Sequence, residues 1–297
     1  MTSTIVPCAI CGGTRTKRLY TKTGFDIARC VQCGLVYANP RAPREVIQGR
    51  YSGEYFWKEY LPALGVIDGK YDLSRFDVRY APLLERLGPA NDRRLLEIGC
   101  GAGFFLKAAE RIGWRVTGVE FSAEASKFGI DELGLDIRRE PAESMAIASG
   151  TFDAAVMFDT IEHLFDPRAA LMSTARAIVT GGLLLIGTPN FRALSRRLLG
   201  TSWAVLSPLE HLYYFDERSL RRLVKECGFT GATFVRENPA WTPQETMNFA
   251  NTHSPFGIRA RVAALAGHTG GGPMARAVQR AGKQDILLCM AKRTPDD

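Results

Sequence analysis

Residues Leu95 to Gly103 read LLEIGCGAG, and a second apolar run, VTGVEFS, carries Glu120 seventeen residues after Gly103. Glycines at 99, 101 and 103 let the backbone approach a ligand where any Cβ would collide. Glu120, at the end of its run, can accept both hydroxyls of a ribose. The chemistry suited to this spacing is the holding of a nucleoside. The elements that must position it follow from the pattern: an apolar strand, a tight turn, and a helix spelled FFLKAAERIG whose amino end faces the ligand.

A dinucleotide fingerprint, G-x-G-x-x-G counted from Gly99, needs glycine at 104, where this chain has Phe104. The pattern is instead E-x-G-x-G-x-G from Glu97. With no pyrophosphate to bind, such a loop can wrap an amino acid and a nucleoside. At these residues the chain resembles the class I S-adenosylmethionine (SAM)-dependent methyltransferases, whose first motif has this form. The resemblance places Glu97 near the methionine amino group and Gly99, Cys100, Gly101, Gly103, Glu120 and Phe121 around the cofactor. It adds Ala142 and Glu143 where the adenine amino group binds, and Phe158 and Asp159 at the end of the fourth strand.

Cys8-x2-Cys11 and Cys30-x2-Cys33 are separated by eighteen residues, a spacing at which two thiolate knuckles can surround one tetrahedral ion. Glycine follows each second cysteine, so the backbone can turn its amides toward the sulfurs. Four thiolates leave no open position, so the site is expected to be structural zinc. Cys100, Cys227 and Cys289 read as small core residues, Cys100 lying also within the cofactor loop. The reading divides the chain into a zinc-binding module at 1–43, a helical connection and cofactor or substrate cover at 44–90, and a methyltransferase domain at 91–297 with a helical insertion near 255–282.

Composition bounds the rest. At 297 residues and 46% hydrophobic content there is material for one large domain and a small one. Apolar stretches such as IVTGGLLLIGTP are too short to span a bilayer. MTSTIVPCAICGG lacks the basic start and long apolar middle of a signal peptide, and seven cysteines do not suit a disulfide framework. A cytoplasmic enzyme without membrane attachment is expected, with an oligomer left open. Of the net charge of +7, most lies in residues 1–94, which hold fifteen Lys and Arg against nine Asp and Glu. A solvated surface explains that excess, and a phosphate-bearing partner is the alternative.

Strand and helix patterns alternate from 95 onward, which implies a doubly wound α/β sheet. The resemblance implies a Rossmann-like seven-stranded order, 3-2-1-4-5-7-6, with the last strand antiparallel, and an acceptor site at the carboxyl ends of the first, fourth and fifth strands. Two Glu-His pairs fall there: Glu162-His163 after the fourth strand and Glu210-His211 after the fifth. Histidine is the usual side chain for removing a proton near neutral pH. The phrases DTIEHLFDP and EHLYYF are similar to motifs of the ubiquinone-biosynthesis-like methyltransferases, and the CxxC module resembles the amino-terminal part of deoxysugar C-methyltransferases. In the latter a Glu-His pair after the fifth strand is implicated in proton abstraction, which carries over to His211 as base with Glu210 as its partner, His163 being the other candidate. Enzymes of that type continue into a further full domain where this sequence has about sixty residues more, a departure that bears on the sugar and on C-methylation.

The aromatic cluster YSGEYFWKEY puts Tyr51 and Tyr55 forward as residues touching substrate, since aromatic faces hold a sulfonium cation. His253 and His268 receive no role, and Arg196 with Arg197 reads as an exposed helix face that could meet a phosphate. The expected activity is methyl transfer from SAM to a small acceptor, a nucleotide-linked sugar or a specialised metabolite, at oxygen, nitrogen or carbon. Two alternatives stand beside it. One is an RNA methyltransferase using the basic zinc module, although no N-P-P-Y-type motif follows the fourth strand and no long basic stripe invites nucleic acid. The other is a zinc-scaffolded interaction protein without turnover.

Overall fold

A computed structural model describes residues 3–235, 278 and 280–295. The chain opens with three antiparallel strands, β1 (Thr16–Lys22), β2 (Phe25–Cys30) and β3 (Val36–Ala38). Thr23 and Gly24 join the first two with positive φ at both positions, 52° and 82°, the backbone that matches a two-residue hairpin to the twist of its strands. Between 44 and 87 the chain is mostly helical, with α1 (Arg44–Gln48), a 3-10 turn, α2 (Gly53–Tyr55), a π-turn over Phe56–Tyr60, α3 (Leu61–Ala63) and α4 (Leu73–Leu87), broken at 64–72 by turns and a lone Ile67–Lys70 bridge.

The large sheet is built from β4 (Arg94–Ile98), α5 (Phe104–Arg111), β5 (Arg115–Glu120), α6 (Ala123–Asp131), β6 (Ile137–Arg139), β7 (Phe152–Phe158), α7 (Pro167–Ala177) and β8 (Ile178–Pro189). After β8 come α8 (Leu194–Leu199), β9 (Tyr213–Tyr214), α9 (Glu217–Glu226), β10 (Phe229–Val235) and β11 (Ile286–Arg293). Its order is β6-β5-β4-β7-β8-β11-β10, with β11 antiparallel to both neighbours, so the expected 3-2-1-4-5-7-6 topology is found. β8 begins at Ile178, five residues earlier than the LLLIGTPN pattern suggests, because the Gly181-Gly182 pair lies inside the strand beside a register shift against β7. The insertion expected near 255–282 lies outside the described residues apart from 278 and 280–282, as do His253 and His268.

Side chains alternate faces along each strand, and the sheet accordingly buries two cores. Leu96, Ala155, Met157, Leu184 and Ile186 point to one face, where Leu171 of α7 and Leu220, Leu223 and Val224 of α9 cover them. Leu95, Ala154, Val156 and Leu185 point to the other, beneath Leu83, Leu84 and Leu87 of α4 and Phe105 of α5. Phe104, the residue that breaks the dinucleotide pattern, opens α5 and stacks on Phe76 of α4 at 4.0 Å. It fixes the loop to its cover.

Packing does not respect residue 43. Cys8, Ile10, Leu35 and Tyr37 belong to the same apolar cluster as Leu212, Tyr213 and Phe215. β9 also completes the amino-terminal sheet, pairing with β3 through Tyr37↔Tyr213 and Val36↔Tyr214. The loop after the fifth catalytic strand is thus clamped by the cysteine module. α9, which follows β9, starts in a reciprocal cap: Asp216 Oδ1 accepts from the Ser219 amide at 2.8 Å, and Ser219 Oγ accepts from the Asp216 amide at 2.9 Å. Asp216→Ala should cost about 1 kcal/mol, read as a lower midpoint in urea unfolding.

Candidate active site

The glycine loop is pinned to its neighbour strand, since the amides of Gly99 and Cys100 both donate to the Val119 carbonyl, at 2.8 and 3.2 Å. Glu120 is held from two sides, Oε2 accepting from Gly101 N at 2.8 Å and Oε1 from Ser122 N at 2.7 Å. Each carboxylate oxygen keeps a second lone pair for a ribose hydroxyl. Gly101, at φ +55°, leaves no room for a side chain, because a Cβ there would lie 2.0 Å from the Tyr60 hydroxyl. That hydroxyl accepts from Ala102 N at 3.3 Å, so the aromatic cover rests on the loop itself.

Glu97 is 4% exposed, and among the described residues its Oε2 has no partner. Burial, with the charge of Glu120 added, pushes its carboxyl well above the usual range. A buried carboxylate oxygen lacking a donor suits an incoming ammonium, which would supply both the hydrogen bond and the countercharge. The residues present therefore fit SAM, with Glu97 toward its amino group and Glu120 toward its ribose. Phe121 stands 47% exposed just beyond Glu120, leaving an aromatic face open to a base. Gly103 caps the amino end of α5 with φ 84°, and Cys100 is buried beneath the loop, so Cys100 offers its backbone. Ala142 is buried, while Glu143 Oε1 accepts from Phe165 N at 3.1 Å and lies 3.5 Å from Asp166 N, tying this segment to the loop after β7. Phe158 packs edge-on against Phe105 at 5.0 Å, and Asp159 follows it with φ +48° at the strand end.

The two Glu-His pairs converge. The rings of His163 and His211 lie 4.6 Å apart, although 48 positions separate them in the chain. The convergence is made by main chain: Leu212 N and Tyr213 N both donate to the Glu162 carbonyl, at 2.7 and 3.1 Å. His211 Nδ1 is 2.7 Å from the Val205 carbonyl, and His163 Nδ1 is 2.9 Å from the Glu210 carbonyl. A carbonyl can only accept, so both imidazoles carry their proton on Nδ1 and present an Nε2 lone pair. Burial first, then the neighbouring His211, pushes His163 down to about 3, and burial likewise lowers His211. Both rings are neutral. Tyr51 Oη sits 2.9 Å from His163 Nδ1 as a second acceptor, which leaves its own proton free, and Tyr55 packs edge-on to Tyr51 at 6.0 Å.

Glu210 does not partner His211 as the sequence suggests. Its carboxylate pairs with Arg50 and acts on His211 through charge without a hydrogen bond, while its carbonyl accepts from His163 Nδ1. Glu162 is the buried acid, with Oε2 accepting from Thr188 Oγ1 at 2.9 Å and Oε1 lying 3.9 Å from His163 Nε2. Burial and the charge of Asp159 push it up to about 8. Four contributors escape sequence reading: Tyr60, Arg50, Val205 and Thr188. Tyr60 alone had a legible signal, four positions after Phe56 within the aromatic run and stacked on it at 5.6 Å. Arg196 is engaged structurally, donating to Tyr20 Oη at 3.0 Å and lying over the Phe191 ring.

At the amino-terminal end, one Sγ from each of Cys8, Cys11, Cys30 and Cys33 lies within 4.8 Å of the others. Cys8 and Cys33 approach to 3.4 Å and Cys11 and Cys30 to 3.5 Å. Ligands of a tetrahedral Zn–S₄ centre stand about 3.8 Å apart. Gly12 N donates to the Cys8 carbonyl and Gly34 N to the Cys30 carbonyl, closing two knuckles. Burial alone would raise Cys30, yet the amides of Cys33 and Gln32 and neighbouring thiols bring it down to about 7. The donor set fits one zinc ion.

A family model described as a methyltransferase domain matches residues 72–233. The chain is 32% identical over 125 residues to a ubiquinone biosynthesis O-methyltransferase of Caulobacter sp. strain K31, covering 39% of this chain and 50% of that protein. The enzyme of that name from Parvibaculum lavamentivorans is 36% identical over 107 residues, covering 34% of this chain and 42% of that one. The chain thus spans about half the length of the curated relatives it matches. A solved SAM-dependent methyltransferase from Thermotoga maritima shares the fold, with a TM-score of 0.53 at 18% identity over 84% of this chain and 100% of that one. No helix among the described residues is long and apolar enough to cross a membrane.

Proposed function

This chain belongs to the methyltransferase domain family, and from that premise we propose that it transfers the methyl group of SAM to a small hydroxyl-bearing acceptor, using a zinc-supported module to set its acceptor side. The observation that carries the reading is the pairing of a nucleoside-ready loop, with a buried Glu97 whose Oε2 has no partner among the described residues, and two neutral imidazoles held through Nδ1. SAM, when bound, supplies an electrophilic methyl whose bonding pair stays on sulfur. The chain's own residues do the remaining work. Glu120 and the loop amides hold the nucleoside, Glu97 takes the ammonium, and Tyr51 donates to the acceptor and orients it. His211 Nε2 takes the acceptor proton as the new bond to carbon forms, with Nδ1 held by Val205 so that the lone pair faces one way. Alignment of nucleophile and methyl provides most of the rate, and proton removal adds to it.

Calorimetry with SAM tests the premise, and production of S-adenosylhomocysteine from a panel of phenols, catechols and sugar nucleotides tests the acceptor. Glu120→Ala should weaken SAM binding by roughly 10- to 100-fold, since it removes charge-assisted bonds worth about 1.5–3 kcal/mol. A wild-type chain that binds no SAM would end the proposal.

A further inference from the structure

We propose that a basic cleft between α9, the chain after β8 and the approach to β11 is a binding site for a chain of two or more phosphates. The site goes beyond the proposed function, and its binding test needs no methyl acceptor. The cleft holds about 680 Å³ and shares no lining residue with the cofactor loop or the two histidines. That volume falls within the roughly 300–1,000 Å³ of small-molecule sites. Seven of its lining residues are Arg or Lys and one, Glu217, is acidic.

The cations come from three stretches that the sequence keeps far apart. Arg218, Arg221 and Lys225, spaced three and four residues apart, share one side of α9, whose core-facing side buries Leu220, Leu223 and Val224. Arg192 follows β8, while Arg280 and Lys283 precede β11. Buried Asn190 fastens these last two stretches together. Its Nδ2 donates to the carbonyls of Gly282 and Gln284, at 3.1 and 2.7 Å, and its Oδ1 accepts from Arg192 N at 2.9 Å. Leu194 N adds a bond to the Lys283 carbonyl at 2.9 Å. The wall carrying Arg192 and Lys283 is therefore held at its main chain.

The acids nearby are committed elsewhere. Asp216 caps α9 through Ser219, Asp285 accepts from Ser195 Oγ, and Glu226 pairs with Arg222 and Arg168. The positive excess stays at the cleft, and Lys283 registers it: burial, then the charges of Arg192, Arg197 and Arg196, lowers its pKa from the ordinary lysine value. Like charges set this close repel, and a multivalent anion removes that repulsion. Guanidinium forks match pairs of phosphate oxygens. One phosphate brings roughly two charges, whereas a chain of phosphates adds both the charge and the length to meet cations on all three stretches. A concave site suits such a small polyanion better than a nucleic-acid backbone, which calls for cations along an open stripe.

The test titrates full-length protein, with zinc in its thiolate cluster and S-adenosylhomocysteine present, with inorganic pyrophosphate in magnesium-free buffer, followed by calorimetry. Pyrophosphate should bind at a single site, at least tenfold more tightly than orthophosphate, and more weakly as salt is raised. Arg192→Gln/Lys283→Gln should weaken it by roughly 10- to 100-fold, with zinc content, circular dichroism and SAM affinity unchanged. The matched pair Lys127→Gln/Arg139→Gln, on α6 and β6 at the opposite edge of the sheet, should bind as the wild type does. A wild type that binds no pyrophosphate would overturn the proposal, as would equal weakening in the two double variants. Binding of a short RNA in place of pyrophosphate would overturn it as well, making the surface a nucleic-acid interface. In turnover assays, pyrophosphate that raises the acceptor KM and leaves kcat unchanged assigns the phosphates to the acceptor's own tail, and pyrophosphate that changes kcat alone assigns them to a separate nucleotide.

Discussion

Replacing His211 by alanine is expected to lower turnover by roughly 10²- to 10⁴-fold while SAM affinity stays within a factor of about two, as measured by single-turnover assay and calorimetry. The split follows from position. Glu97, Glu120 and the amides of Gly99 to Ala102 form the cofactor loop on β4 and β5, whereas His211 is held by Val205 and by the contacts of Leu212 with β3 and Glu162. Removing the imidazole leaves the loop intact and deletes the Nε2 lone pair on the acceptor side. Glu210→Gln should be far milder, since that carboxylate pairs with Arg50 in a half-exposed setting and its carbonyl, which holds His163, survives the change. Unchanged turnover in His211→Ala would remove this residue from the chemistry, and a Glu210→Gln defect of equal size would restore the Glu-His partnership that the structure replaces.

Stripping zinc with a chelator, or replacing Cys30 by serine, is expected to abolish turnover and unfold the amino-terminal sheet while SAM binding persists. Four-thiolate modules of this size draw their folding energy from the ion, and small zinc domains are unfolded without it. Here the loss spreads. β2 and β3 leave the second knuckle directly, β9 pairs with β3, and Leu212 sits between Ala38 and Glu162 by its carbonyl and amide. Once β3 melts, His211 is held against His163 only through the Glu162 carbonyl, without the support of the strand behind it. The apolar cluster shared by Cys8, Ile10 and Tyr37 with Leu212 and Tyr213 opens at the same time. Zinc analysis should give one ion per chain, and limited proteolysis of the stripped protein should cut within residues 8–43 first. Full turnover in protein shown to contain no zinc would refute the coupling.

The catalytic sheet was readable because its instructions are local. An apolar run, a glycine turn and a 3.6-residue pattern can each be recognised within a dozen positions, and their alternation implies parallel strands whatever the distant contacts are. Glu97, Glu120 and the glycines follow from the same span, and the cysteine quartet from its own spacing. The role of Phe104 was half legible: its mismatch with the dinucleotide pattern was plain, its stacking on Phe76 was not.

What lay beyond sequence was every pairing across long separation. Nothing in the sequence indicates that the Glu210 carboxylate meets Arg50, that Val205 orients the histidine six residues onward, or that Tyr60 closes over Gly101. The two Glu-His pairs look alike as dipeptides, yet burial makes Glu162 the acid with an unsatisfied oxygen and leaves Glu210 in an ion pair. By itself the sequence determined a doubly wound α/β sheet, a glycine-rich nucleoside loop and a four-thiolate module, because periodicity and spacing along the chain suffice for strands, turns and knuckles, and the resemblance carried by its first motif implied the methyltransferase order. Tertiary structure alone decided that the module grips the loop after β8 through β9, and that two histidines and Glu162 come together. Those outcomes depend on which apolar faces bury together and which backbone groups then find partners, and neither is written in any short stretch of residues.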